Sequence, residues 1–331
     1  MKHKHLSMDS SVTHTKMQRV INAILNAINY GAYEVGDELP SINKLSVQFG
    51  LSRDTIFKAY QELKKRGLVE STPAKGYRVA RITSRVLLFL DSYSPFKDEL
   101  YNSFVTNLPS SYKVELAFHH YNYAVFESVL LDSIGKYNMY VVMNFNNEKI
   151  SDILYRIDAN KLLILDWGQY KDEKYSYVCQ DFGEQPYRCL VHAKALLQKY
   201  RKICYVYPEG SFHPEITLEY FKRFCSENSL EWEFTEIIDE RTVLPQQVYF
   251  FFRQKDIVSI LKVAHDKGLK TGRDIGLLAY NDSLLYEVLE NGITTISTDF
   301  RMMGARAAEY IKTKEKIQEI IPTRLIIRNS L

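Results

Sequence analysis

The stretch LSRDTIFKAYQELKKRGLVESTPAKGYRV, residues 51–79, decides the N-terminal fold. Ser52 is a good helix N-cap, because its hydroxyl accepts from the first free backbone N–H groups. Behind it Ile56, Ala59, Tyr60 and Leu63 recur at helical spacing and form a stripe to bury. Arg53, Asp54, Phe57, Lys58 and Lys64 are left on other faces. Gly67 stops the helix, and Leu68–Glu70 and Tyr77–Val79 read as short strands around the turn Pro73-Ala74-Lys75-Gly76, a β-wing. Working back from Ser52, Gly50 closes a short helix through Leu45, Val47 and Phe49, N-capped by Ser41 after Pro40. Earlier still, Met17, Val20, Ile21, Ile24, Leu25 and Ile28 give an amphipathic helix that Gly31 ends with a left-handed cap. Helix, tight glycine-containing turn, helix and wing is the arrangement that sets a second helix into a major groove.

Charge points the same way. Residues 1–85 carry 14 Lys and Arg against 7 Asp and Glu, a net of +7, whereas the rest of the chain nets −4. A basic head on a mildly acidic body suits one domain meeting a polyanion, although a solvated basic face gives the same count. The whole chain of 331 residues is long enough for two domains and has an ordinary globular composition, 46% apolar and 25% charged. No apolar run approaches the ~20 residues of a membrane span. The opening MKHKHLSMDSS has no apolar signal region, and the four cysteines stand singly, so a reduced cytoplasmic setting with no membrane partner is expected.

The run Gly31…Gly36-Asp37-x-Leu39-Pro40-Ser41, then Leu51-Ser52-Arg53-x-Thr55, Leu63…Gly67-Leu68-Val69 and Lys75-Gly76-Tyr77 resembles the winged helix-turn-helix of the GntR family of bacterial regulators. The likeness implies that Ser41, Asn43, Ser52, Arg53, Asp54, Thr55, Phe57, Lys58, Lys75 and Gly76 face DNA. Ser52 and Arg53 open the recognition helix, where an Arg reads guanine O6 and N7 bidentately. Lys75 and Gly76 at the wing tip suit the minor groove or its phosphates. The chain departs from the family where Phe57 replaces an Arg that often grips phosphate, with Lys58 beside it, and where Asn43 replaces a basic contact.

The body alternates apolar runs with helical patterns. Strands are expected at Val86–Leu90, Tyr140–Phe145, Leu162–Leu165, Ile203–Tyr207, Val248–Phe252 and Ile275–Ala279. Helices are expected near Lys97–Asn107, Val125–Lys136, Pro186–Tyr200, Pro214–Asn228, Lys255–Lys267, Ser283–Asn291 and Met302–Thr313. The alternation predicts an α/β body with doubly wound parallel sheets and ligands at the carboxyl ends of the strands. His119 and His120 read as neighbours on a strand, so their side chains diverge and make a poor metal pair. No metal site and no cofactor is expected.

Val86–Asp91 followed by Ser94-Pro95-Phe96 resembles the first strand and loop of type I periplasmic binding proteins, which are also the effector domains of LacI-family repressors. Leu162–Asp166, Gly276–Asp282 and Thr294-Thr295-Ile296 with Gly304-x-x-Ala307-Ala308 continue the likeness in order. It implies a two-lobed domain with a cleft and with crossings near residues 181, 292 and 315. The expected organisation is a flexible tail 1–15, a winged helix-turn-helix domain 16–80, a linker 81–85 and a two-lobed effector domain 86–331. Sugar rings ask for aromatic faces and for polar groups at their hydroxyls. Asp91, Ser94, Phe96, Asn144, Trp167 and Asp181 on one side, and Tyr207, His213, Arg253 and Asp282 on the other, are the candidates. Arg253 stands where relatives carry hydroxyl-binding residues, which leaves an acidic or phosphorylated effector open.

No P-loop, dinucleotide fingerprint, nucleophile elbow or H-E-x-x-H occurs, which disfavours enzyme readings. The expectation is a homodimeric repressor on a pseudo-palindromic double-stranded DNA operator, controlled by a monosaccharide such as fucose or arabinose. The alternatives are a carbohydrate-metabolising enzyme and a constitutive DNA-binding protein with no effector.

Overall fold

The computed structural model describes residues 6, 15–29, 31–72, 76–80, 84–109, 111–145, 149–167 and 174–331. Lys75, assigned above to the wing tip, lies outside them, as do 81–83 of the expected linker. The chain forms two compact units: residues up to 88 with 108–117 and 131–140, and the remainder.

The first unit begins with α1 (Lys16–Asn29), α2 (Ile42–Phe49), α3 (Arg53–Lys65), β1 (Val69–Thr72) and β2 (Gly76–Val79). The capping chemistry sets the helix starts. The Ser41 hydroxyl accepts from Lys44 N at 3.3 Å, and the Ser52 hydroxyl accepts from Thr55 N at 3.2 Å. Gly50 sits at φ +62°, a left-handed turn that a side chain would strain. Ile56, Ala59, Tyr60 and Leu63 are fully buried with Val20, Ile21, Ile24 and Leu45. Each large aliphatic side chain so buried contributes ~1.5–3 kcal/mol. Val47 faces solvent instead, 85% exposed. Tyr60 stacks on Tyr77 with ring centroids 4.0 Å apart, and its hydroxyl donates to Pro40 O, which ties the wing to the segment entering α2. Leu6 is buried in the same core, and its carbonyl accepts from Gln48 Nε2 at 2.7 Å.

The body carries β3 (Ser84–Leu90), α4 (Pro95–Thr106), β4 (Tyr112–Phe118), α5 (Tyr123–Ser133), β5 (Met139–Met143), β6 (Leu162–Asp166) and β7 (Ser176–Cys179). It continues with α6 (Glu184–Leu197), β8 (Lys202–Val206), α7 (Glu215–Glu227), β9 (Glu231–Thr235), β10 (Gln247–Phe251), α8 (Gln254–Asp266) and β11 (Ile275–Tyr280). Last come α9 (Leu284–Val288), β12 (Thr294–Thr298), α10 (Phe300–Thr313), β13 (Gln318–Ile320) and β14 (Thr323–Ile326). One sheet has the order β13-β7-β6-β5-β3-β4, the other β14-β12-β11-β10-β8-β9. Within the second sheet β9, β8, β10, β11 and β12 run parallel, and only β14 is antiparallel. Each sheet grows first to one side and then to the other, from β3 and from β8, and that reversal opens a crevice at the strands' carboxyl ends.

Several expectations shift. The helix expected over 283–291 is shorter: α9 ends at Val288, and a 3-10 turn follows with Glu290 at φ +52°. β4 stops at Phe118, so His119 and His120 lie past the strand end, with His119 buried and His120 at φ +49°. The chain passes from the first sheet to the second between β7 and α6, returns at Asp299 and passes back at Ile321–Pro322. The crossings expected near 292 and 315 are therefore displaced, because β12 runs on to Thr298 and α10 packs on α4. At that helix contact a Cβ on Gly304 would stand 2.3 Å from Leu100 O. Polar side chains clasp the three crossings: Thr298 Oγ1 donates to Gln180 Oε1 at 2.9 Å and meets Thr323 Oγ1 at 2.8 Å.

Candidate functional site

α3 presents the candidate nucleic-acid face. Arg53 and Asp54 occupy its first turn, and both are exposed, as are Asn43, Phe57 and Lys58. The hydroxyls of Ser41 and Ser52 are engaged as caps, and Ser52 also meets Thr55 Oγ1 at 2.8 Å. Lys58 pairs with Asp54 one turn back at 2.8 Å, an exposed contact of little energetic weight. Arg53 makes no ion pair among the described residues, so its guanidinium is available to a base edge. Gly76 opens β2 at φ +79°.

The second unit contains a cavity of about 430 Å³ at the carboxyl ends of the strands. The segment after β3 supplies Asp91 and Ser92–Lys97, and the end of β6 supplies Asp166 and Trp167. Tyr121, Gln180 and Phe182 add to that side. The segment after β8 supplies Gly210–Pro214, that after β10 supplies Phe252–Gln254, and that after β11 supplies Tyr280–Ser283 and Tyr286. Volume and an aromatic lining with a few convergent polar groups are those of a small-molecule site.

The aromatic walls are preorganised. Trp167 stacks on Phe182 at 4.4 Å, Tyr121 on Phe212 at 4.1 Å, and Phe96 leans on Phe300 at 4.7 Å. His213 stacks on Phe252 at 4.2 Å. The hydroxyl of buried Thr217 donates to Phe182 O at 2.7 Å, so His213 Nε2, 2.8 Å from that hydroxyl, carries the proton and donates to it. Burial pulls the His213 pKa down to about 3, so the ring is neutral at pH 7. Ser94 Oγ, Asn281 Oδ1 and Ser283 Oγ, on residues that line the cavity, are buried oxygens without a protein partner. They are free to meet ligand hydroxyls.

Charges around the cavity are mostly paired. Asp91 accepts from buried Lys97 and, at 2.7 Å, from the Tyr121 hydroxyl. Arg253 forks onto Asp256 at 2.7–3.2 Å and donates to Glu209 O at 3.1 Å. Asp282 is held bidentately by Arg328 at 2.7 and 2.8 Å. Asp166 has Gln180 Nε2 as its donor, and burial pushes its pKa up to about 6. Its folded value thus lies above its ordinary 3.8. The native state holds that proton more tightly, so the carboxyl destabilises the fold as pH rises from about 4 to 6 and fully above 6. Asp166→Asn should therefore raise the unfolding free energy at pH 7.5 by on the order of 3 kcal/mol and leave it unchanged near pH 3. Urea titrations at the two pH values check this, and an equal effect at both would refute it.

Of the ten ligand candidates read from sequence, the structure brings Asp91, Ser94, Phe96, Trp167, His213, Arg253 and Asp282 to the cavity. Three stand apart from its lining. Asn144 is buried and bridges its own loop, donating to Lys149 O at 2.8 Å and accepting from Ser151 N at 3.2 Å. Asp181 accepts from the N–H groups of Gly183, Glu184 and Gln185 at the start of α6. The Tyr207 hydroxyl donates to His213 O and so holds the 208–213 loop. Lys97, Tyr121, Asp166, Gln180, Phe182, Phe252 and Tyr280 line the cavity without having been picked out. Asp166 and Tyr280 were within reach, since each directly follows an expected strand, and Phe252 ends one.

The fold and site define a winged helix-turn-helix domain followed by a two-lobed α/β domain of the type I binding-protein kind. Residues 16–79 match the family of bacterial regulatory proteins, gntR family, and residues 195–331 match the periplasmic binding protein-like domain. The chain thus carries a GntR helix-turn-helix domain at its N-terminus and a periplasmic-binding-protein-like domain after it. Among curated proteins it is 36% identical over 66 residues to the uncharacterized HTH-type transcriptional regulator YcxD of Bacillus subtilis, covering 20% of this chain. It is 36% identical over 67 residues to the uncharacterized regulator YjiR of Escherichia coli. The matched parts span only 15% and 14% of those relatives' lengths. Solved structures share the body's fold. A LacI family regulator from Lactobacillus casei with bound sucrose is similar at TM-score 0.62 and 14% identity, over 75% of this chain and 99% of that one. A periplasmic binding protein/LacI regulator from Alkaliphilus metalliredigens complexed with D-xylulofuranose reaches 0.61 at 15% identity, over 75% and 98%. The trehalose repressor from Escherichia coli reaches 0.60 at 14% identity, over 73% and 100%.

Proposed function

We propose that this chain is a cytoplasmic transcription regulator, a repressor that leaves its operator when a sugar fills the cavity. The proposed boundaries are a DNA-binding domain over 16–80, a linker over 81–85 and an effector domain over 86–331, with the first strand of the body, β3, beginning at Ser84 inside that linker. The observation that carries the reading is the coexistence, in one chain, of an exposed Arg53 on a capped recognition helix and a preformed aromatic cavity at the strand ends. Symmetric half-sites call for a homodimer on a pseudo-palindromic duplex. The names of its structural neighbours, one with bound sucrose, one complexed with D-xylulofuranose and one a trehalose repressor, support a sugar. A monosaccharide such as arabinose or fucose is the first class to test. The ligand acts only through unequal affinity for two conformers of the protein.

Of the DNA-facing residues, Arg53 is proposed to read a base, with Asn43, Asp54, Phe57, Lys58, Lys75 and Gly76 around it. Arg53→Ala should weaken specific binding by ~1–3 kcal/mol and relax the preference at one base pair. Competition footprinting on a selected site measures both, and unchanged affinity with unchanged preference would remove Arg53 from the reading. A sugar at 100 times its Kd should stabilise the full-length chain by ~2.7 kcal/mol, which a thermal-shift panel detects.

A further inference from the structure

We propose that the effector is a sugar bearing a protonated amine, and that Asp166 is the carboxylate that receives it. This rests on the sugar reading above and narrows it. The charges of the cavity pair off. Among the described residues each Lys or Arg lining the cavity is already committed: Lys97 to Asp91, and Arg253 to Asp256. The acidic group on the far wall, Asp282, is likewise closed by Arg328. Among the described residues Asp166 is the remaining lining carboxylate, and its side chain has only the neutral amide of Gln180 as a donor. It is 5% exposed and stands at the end of β6 with φ +69°, so the backbone turns there directly into Trp167.

A buried carboxylate with no cation of its own is costly to keep. Lys97 lies near enough to favour its charge, but Asp91 takes that ammonium directly, and burial together with the Asp91 charge outweighs it. A ligand ammonium reaching Asp166 supplies the missing charge in a desolvated setting, where charge-assisted hydrogen bonds are strongest. The stacked Trp167 and Phe182 rings beside it offer π faces to the same cation. The unpartnered oxygens of Ser94, Asn281 and Ser283 remain for hydroxyls, so the complement is a polyhydroxylated body with one amine. An anionic ligand finds the opposite environment, because Arg253 is neutralised by Asp256 and the excess charge of the described lining residues is negative. The carboxylate- or phosphate-binding role left open for Arg253 is therefore disfavoured by its own pairing.

The test is calorimetric titration of the full-length protein at pH 7 with matched pairs: glucosamine and glucose, galactosamine and galactose, mannosamine and mannose, with each N-acetyl form as an uncharged control. At least one amine should bind ten-fold or more tightly than its neutral parent and its acetylated form. Asp166→Asn should erase that preference while its thermal unfolding shows a folded protein. Neutral sugars that bind as well as or better than their amines would overturn the inference and leave the sugar reading standing. A preference that survives in Asp166→Asn would overturn the assignment to Asp166. A panel in which no sugar of either kind binds would remove the inference and the sugar reading together.

Discussion

Lys97→Met should cost the second unit about 3–5 kcal/mol, because it leaves Asp91 buried without its cation. The Asp91 and Lys97 side chains are only 10% and 6% exposed, and the pair closes the base of the cavity just after β3. Only neutral donors, the Tyr121 hydroxyl and the N–H and hydroxyl of Ser92, then answer the carboxylate. Replacing both members, Lys97→Met with Asp91→Leu, should recover most of the loss, since the desolvated charge disappears with its partner. Urea unfolding of the single and double variants separates the two contributions. A single variant within 1 kcal/mol of the parent would show that water reaches the pair. The same pair occupies Lys97, so the one lining ammonium among the described residues is unavailable to a ligand carboxylate.

Gly304→Val should be at least as damaging in a different way. The Cβ position lies 2.3 Å from Leu100 O and 3.0 Å from Phe104 N, both backbone atoms of α4 that no rotamer change moves aside. α10 must therefore withdraw from α4, opening the buried seam that contains Phe104, Met303 and Ala307. Overpacking of this kind costs about 1–3 kcal/mol when side chains yield, and more when backbone must shift. The loss should exceed about 3 kcal/mol for Val and be smaller for Gly304→Ala. A Val variant that unfolds with the parent would refute the close approach of the two helices. Because α10 follows directly on the crossing at Asp299, this seam also fixes the crossing that joins the two sheets.

Much of the fold was legible because its signals are local. Ser41, Gly50 and Ser52 mark helix ends through hydrogen bonds or a left-handed φ that only certain residues support. The central strands were legible for another reason: buried on both faces, β5, β6, β10 and β11 become continuous apolar runs. The edge strands lack that signature. β4 and β9 are half-exposed and spell Tyr-Lys-Val-Glu-Leu-Ala-Phe and Glu-Trp-Glu-Phe-Thr. β12 is fully buried yet written Thr-Thr-Ile-Ser-Thr, where a tertiary environment overrides polarity. Missing its full length displaced the second crossing from Asp299 to 292.

The cavity was legible at its first loop, Ser94-Pro95-Phe96, and much less so elsewhere. A polar residue at a strand end reads the same whether it meets a ligand or caps a helix. Asn144 and Asp181 turn inward to loop and helix N–H groups, whereas Asp166, one residue before Trp167, turns into the cavity. Pairing is equally invisible in sequence. Arg253 and Asp256 stand three residues apart across the start of α8, and only the structure shows the guanidinium folded back onto that carboxylate.

The most direct test of the account joins its two halves. A DNA site is selected from randomised duplexes with the full-length protein, and its affinity is then followed by fluorescence anisotropy across neutral and amine-bearing sugars. The expected result is that at least one sugar weakens binding to the selected site ten-fold or more, and that Trp167→Ala removes the response while leaving DNA affinity without sugar unchanged. DNA affinity that stays constant for every sugar, or a response that survives the loss of Trp167, would contradict it.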